Sequence, residues 1–155
     1  MIRKLSLGLA PPLLVLFALT GCGGDRLSKG EYEHRVRAEY GEVQQAFRAT
    51  GASVGRPELA AKIEGAQKQL RDAAEALEGI EPPEAVEEEN EEIVEGLREY
   101  GEDLDSVRDA AEKGDLAAIE KFNDAIGTNE AVERIAEAAE EMKFKGYDLG
   151  PIAEE

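Results

Sequence analysis

Between Val86 and Ala111 the chain repeats one pattern. Val86, Ile93, Leu97, Tyr100, Leu104, Val107 and Ala111 recur at spacings of seven, four, three, four, three and four. That alternation places all of them on one stripe of an α-helix, close to the a and d positions of a heptad. A single helix cannot dry such a stripe by itself. It needs neighbours lying alongside at a shallow angle, which restricts the chain to a helical bundle. Asn90 stands inside the stripe, between Val86 and Ile93. It reads either as a buried amide that fixes register or as a contact to a ligand.

Three other segments carry matching stripes. In the first, "SKGE" sets Glu31 three residues after Ser28, a capping box. Tyr32, Val36, Tyr40, Val43 and Phe47 then follow at helical spacing, and "TGASVG" (Thr50 to Gly55) ends the run. In the second, Pro57 suits a first turn. Leu59, Ile63, Ala66, Leu70, Ala73 or Ala74 and Leu77 form its stripe. Gly79 and the Pro82-Pro83 pair close it. The Val86 helix stops at Gly114, with Asp115 as the cap of a fourth. That fourth segment runs from Leu116 through Ile119, Phe122 and Ile126, is kinked or broken at Gly127 to Asn129, and continues through Val132, Ile135, Ala139 and Met142 to Phe144. Charged residues make up 34% of the chain and aromatics 5%, a balance that disordered chains share, but the periodicity argues for a packed fold. Short connections predict an all-α, antiparallel, up-down-up-down four-helix bundle over residues 29–146, with 147–155 as a tail.

The amino terminus is of another kind. Arg3 and Lys4 precede an apolar run from Leu5 to Leu19, and small residues follow at Thr20 and Gly21. This is the layout of a secretory signal. Counted to Thr20, the run of about 16 residues is shorter than the roughly 20 that span a bilayer. It ends in Leu19-Thr20-Gly21-Cys22, which resembles the lipobox of bacterial lipoprotein signal peptides. The resemblance covers residues 1–22 only. It implies cleavage between Gly21 and Cys22, a diacylglyceryl thioether on the Cys22 sulfur, and an acyl chain such as palmitate on the new amino terminus. It also implies a site on the extracytoplasmic side, at the outer face of the cytoplasmic membrane or in the periplasm. Cys22 is the only cysteine of the chain, so no internal disulfide is available, and lipidation accounts for a lone thiol in an exported protein. Residues 22–28 then form a short tether.

Charge bounds the partners. The whole chain carries a formal charge of −17. Loss of residues 1–21 removes only Arg3 and Lys4 among its charged groups, which moves the balance to about −19. Such a surface repels nucleic acid and favours a monomer. The expected contacts are the membrane, through the lipid, and an unknown protein or small-molecule partner.

No residue set points to catalysis, and neither a cofactor nor a metal site is expected beyond the covalent lipid. Glu31 and His34 make a single Glu-x-x-His where bundle di-iron sites need two, and His34 lies opposite Val36 on its helix. Met142 has no inward histidine with which to share a haem iron. Glu84 to Glu95 holds seven glutamates, read as a solvated face that also complements the helix dipole. Asn123 and Asn129 read as caps around the break. Phe144 and Tyr147, beside Lys143 and Lys145, form the one locally basic aromatic spot and are the candidate partner contact; docking of this tail, with Tyr147, Leu149 and Ile152 folding back over the open end of the bundle, is the plainer alternative. The expected function is that of a non-enzymatic, membrane-anchored binding or envelope module. The alternatives are a carrier with a pocket of at least about 300 Å³ near Asn90 and Tyr100, and weak divalent-cation binding by the acidic faces.

Overall fold

The computed structural model describes residues 26–51 and 56–150, and these are all-α. Five α-helices follow one another: α1 (Lys29–Gly51), α2 (Arg56–Glu78), α3 (Glu87–Lys113), α4 (Leu116–Ala125) and α5 (Glu130–Phe144). Single 3-10 turns at Glu84–Val86 and Ile126–Thr128 lead into α3 and join α4 to α5. No helix among the described residues is long and apolar enough to cross a membrane.

Each boundary has a local cause. Ser28 and Glu31 close the predicted capping box: the Ser28 N–H and hydroxyl both donate to the Glu31 carboxylate, at 3.0 and 2.5 Å. Gly114 ends α3 in the left-handed region (φ 72°), returning its N–H to the carbonyls of Ala110 and Ala111. Asp115 then caps α4 through the Ala118 N–H at 3.1 Å. Asn129 caps α5 by accepting from the Val132 N–H at 3.0 Å, while its amide reaches Asp103 at 2.7 Å.

Neighbouring helices run antiparallel. The Leu27 N–H donates to the Glu81 carbonyl, which sets the start of α1 beside the end of α2. Gln67 of α2 donates to the Gly101 carbonyl and to Asp105 of α3, while Leu77, further along α2, faces Asn90, earlier in α3. Arg134 of α5 reaches Glu92, Glu95 and Glu99 of α3, and Lys145 reaches back to Glu89. The α3 stripe is the shared wall: Val86, Ile93, Leu97, Tyr100, Leu104, Val107 and Ala111 are all buried. Small residues let the helices close in. Ala66, Ala73 and Ala74 of α2 and Ala138 and Ala139 of α5 face the core. At Gly96 the approach of α5 is so close that an added Cβ would lie 2.6 Å from Ile135 Cγ1 and 3.0 Å from the Ala131 carbonyl oxygen.

One expectation is corrected and two open readings are decided. The expected kink or break at Gly127 to Asn129 is a break: the 3-10 turn at Ile126–Thr128 and the Asn129 cap divide the fourth column into two helices. Leu116 is 63% exposed and does not open an inward stripe; α4 has no buried residue and docks on α3 through Phe122, whose ring stacks near-parallel to Tyr100 at 6.5 Å. The start of the tail docks on the bundle, the plainer of its two readings: Tyr147 and Leu149 are buried, and Gly146 (φ 88°) and Gly150 (φ 69°) supply the left-handed turns that bring them there. Leu149 sits among the most completely buried side chains because Asp148 anchors this segment to α1, through Arg37 at 3.0 Å and through its own N–H to Glu33 at 2.9 Å.

Candidate functional site at the amino-terminal end of the bundle

The start of α1, the α2–α3 connection and the end of α5 meet at one end of the bundle. Arg26 donates to the Pro82 carbonyl and to Glu87, both at 3.0 Å. Lys29 donates to the Gly146 carbonyl at 2.5 Å, and its ammonium sits 5.1 Å from the centre of the Tyr147 ring. These contacts tie the first described residues to three other segments. Gly21 and Cys22, the expected cleavage and lipidation residues, lie outside the described residues, as does Ile152.

Behind this surface lies a buried polar junction drawn from four helices. The Tyr32 hydroxyl of α1 donates to Asn90 Oδ1 of α3 at 2.9 Å. Asn90 Nδ2 points to the Leu77 carbonyl of α2 at 3.4 Å, and the Met142 sulfur of α5 stands 3.7 Å from the same hydroxyl. Tyr147 meets the Tyr32 ring edge-on, with centroids 6.1 Å apart. Burial pushes the Tyr32 phenol up, and the Glu89 carboxylate and Tyr147 push it further, so it remains a donor at any ordinary pH. Of the two readings of Asn90, the geometry supports the register-setting one, since its carbonyl and amide both face protein groups.

Glu89, one residue earlier, was expected on the solvated glutamate face and is corrected to a buried group, because it falls on the side of α3 that packs toward α5. Its carboxylate is buried and ion-paired with Lys145, and Oε2 has no hydrogen-bond partner. Burial pushes this carboxyl up, but the hydrogen bond and charge of the Lys145 ammonium, a backbone hydrogen bond and a hydrogen bond with Glu141 together outweigh it. The net value lies below the ordinary 4.5. Lys145 is raised in turn, chiefly by the same hydrogen bond. The available signal was positional: Glu89 neighbours Asn90 in the seam that buries Val86 and Ile93, so one glutamate of that run had to turn inward.

The sign of the pH effect follows. A carboxyl with a depressed folded value adds stability above the ordinary carboxylate range and loses it as pH falls through the folded value. Lys145→Met removes the ammonium that chiefly opposes the burial, which moves the Glu89 carboxyl up. The thermal midpoint of Lys145→Met is therefore expected to fall furthest behind the parent chain at neutral pH, and the gap to close below about pH 4. Paired thermal melts from pH 3 to pH 7 measure it; a gap independent of pH would show that Glu89 is not the group involved.

The candidate contact pair is divided. Phe144 is 94% exposed, whereas Tyr147 is packed inward at 8%. A partner-facing role for Tyr147 is corrected to a core role, because Gly146 turns the chain back onto α1. His34 and Asn123 are exposed, Glu31 serves the α1 cap, and Asn129 the α5 cap.

Three cavities bear on the ligand expectations, and one of them, a cleft of about 350 Å³ at the α2–α3 connection, is lined by Asn90 and Val94 among glutamates and Arg98. An apolar crease between α1 and α5, floored by Ala73, Leu77, Ile93 and Leu97, holds about 30 Å³, and neither Asn90 nor Tyr100 lines it. A cleft of about 380 Å³ between α3 and α5 is lined by Glu88, Glu89, Glu92, Glu130, Glu133, Glu137 and Glu141 with Arg134. Among the described residues, no group of three or more His, Cys, Asp or Glu side chains is placed to hold a metal ion. Comparison of the chain with protein-family models, curated proteins and solved structures finds no match.

Proposed function

We propose that the protein is a lipid-anchored, extracytoplasmic helical-bundle module that binds or spaces other components at a bacterial cell envelope, without chemistry of its own. One observation carries this reading. The lipobox-like Leu19-Thr20-Gly21-Cys22 ends four residues before Arg26, the first residue fastened to the bundle. Four residues span at most about 14 Å. A lipid on Cys22 therefore holds this end of the bundle against the headgroups. Diacyl and triacyl anchors bind durably where a single chain binds only marginally. The absence of catalysis is part of the proposal. It is supported by the fact that the displaced carboxyls serve structural contacts: Glu31 bonded to Ser28, Glu89 to Lys145, and Asp105 held low by the Gln67 hydrogen bond and by Arg108.

The anchor is tested in cells of a host that lipidates proteins. The mature wild-type chain is expected to begin at Cys22 and to carry the mass of its acyl groups. Cys22→Ala is expected to remain unprocessed by this route and to lose its membrane retention. An unmodified thiol in the mature wild type, or unchanged retention of the variant, would overturn the reading.

The acidic cleft favours a second, weaker reading: diffuse capture of divalent cations by carboxylates that do not converge on one ion. Calcium titration by calorimetry should then give heat above that of a charge-matched helical control; heat no greater than the control's would eliminate this reading. A carrier role has less support: the apolar crease offers a tenth or less of the volume such a ligand needs, and the cleft of about 350 Å³ that Asn90 does line is walled mostly by charged side chains, Glu78, Glu81, Glu87, Glu91, Glu95 and Arg98.

A further inference from the structure

Phe144 is the most exposed large apolar side chain among the described residues, at 94%. Helix geometry puts it there. Ala138, Ala139 and Met142 form the buried stripe of α5, and Phe144 lies two residues past Met142, some 200° around the helix. A solitary exposed apolar residue needs no explanation by itself. Its place in the fold supplies one. Lys145 is bonded to Glu89 and the Gly146 carbonyl to Lys29, so Phe144 belongs to the end of the bundle where α1 begins. That is also the end the tether reaches. The other strongly exposed apolar side chain, Leu116, follows the carboxyl end of α3. The 27 residues of α3 separate the two ends by about 40 Å.

We propose that Phe144 is a membrane contact: it seats in the headgroup layer beside the acylated Cys22 and, as a second point of attachment, fixes the bundle upright with the α3–α4 end outward. The proposal rests on the lipid anchor put forward above. An aromatic ring at this depth suits the interface, where its apolar body leaves water without reaching the hydrocarbon centre. Charge selects the surface. Lys143 and Lys145 flank the ring and Arg26 and Lys29 stand at this end, but Glu81, Glu84, Glu87 and Glu88 lie there too and the chain is strongly acidic overall, so the contact fits a zwitterionic lipid surface better than an anionic one. A lipid already holds the chain within reach, so the ring adds an intramolecular contact and need not capture the membrane unaided.

The chain contains no tryptophan, which makes the test clean. Lipidated Phe144→Trp and Leu116→Trp proteins, each altered at an exposed position, are placed on phosphatidylcholine vesicles with and without brominated acyl chains. Flotation with the vesicles is read alongside. For Phe144→Trp, emission is expected to shift to the blue and to be roughly halved by the brominated lipid, with Leu116→Trp unchanged. Emission from Phe144→Trp that ignores bromine while the protein floats would overturn the contact and leave the anchor standing. Equal quenching at both positions would overturn the upright arrangement. Failure to float would overturn the anchor and this inference with it. A Cys22→Ser version of Phe144→Trp, lacking lipid, should show no quenching at the same concentration; quenching equal to that of the lipidated form would mean that Phe144 binds without the tether, against the proposal.

Discussion

Replacing Tyr32 with alanine is expected to cost about 4 kcal/mol of unfolding free energy, the largest loss of any single change considered for this bundle. The Tyr32 ring is fully buried and is a point where α1 meets α3, α5 and the tail together. Truncation removes the ring from contact with Tyr147 and Met142 and leaves a cavity that rigid helices close only in part. Tyr32→Phe separates the ring from the hydroxyl. It keeps the packing and leaves Asn90 Oδ1 buried without its donor, at about 1–2 kcal/mol. Urea unfolding followed by circular dichroism measures both. If Tyr32→Phe matched the parent chain, the Tyr32–Asn90 bond would contribute nothing net. If Tyr32→Ala lost less than Tyr32→Phe is expected to, the junction would not be holding α1.

The second large effect concerns two glycines of α3 that the sequence does not distinguish. Gly96→Val is expected to destabilise by about 3 kcal/mol, because the new side chain meets Ile135 Cγ1 and the backbone of Ala131, and the backbone cannot swing aside. At Gly101 an added Cβ would lie 3.7 Å from Leu70 Cβ, an ordinary contact. Gly101→Ala should therefore gain up to about 1 kcal/mol from helix propensity. Opposite signs at two buried glycines five residues apart are the diagnostic result. Combining Gly96→Ala with Ile135→Ala should cost less than the two changes added separately, since the second relieves the clash made by the first. Simple additivity would mean that α3 and α5 do not cross at Gly96.

Much of the fold was legible because helix periodicity is local. The spacing of Val86 to Ala111 made α3 a buried wall, the Ser28–Glu31 capping box started α1, and Gly114 and Asp115 marked the α3–α4 boundary. Each signal lies within a few residues of the element it controls. Leu116 misled because its apolar side chain continued the stripe in sequence, while α4 splays along α3 and leaves it in water. Asn90 was recognised as an inward polar group from its interval alone, but its donor stood 58 residues earlier in the chain and could not be named.

What the sequence determined by itself was the helical class, the ends of most helices, and a lipobox-like segment close to the first helix, since each depends on neighbours along the chain. Only the tertiary structure decided that Glu89 turns inward toward Lys145, that Tyr147 is core while Phe144 is surface, and that Gly96 is a close helix crossing. The physical reason is that these assignments depend on which helix lies opposite and at what distance. Periodicity fixes the direction in which a side chain points around its own axis, and packing fixes what it meets there.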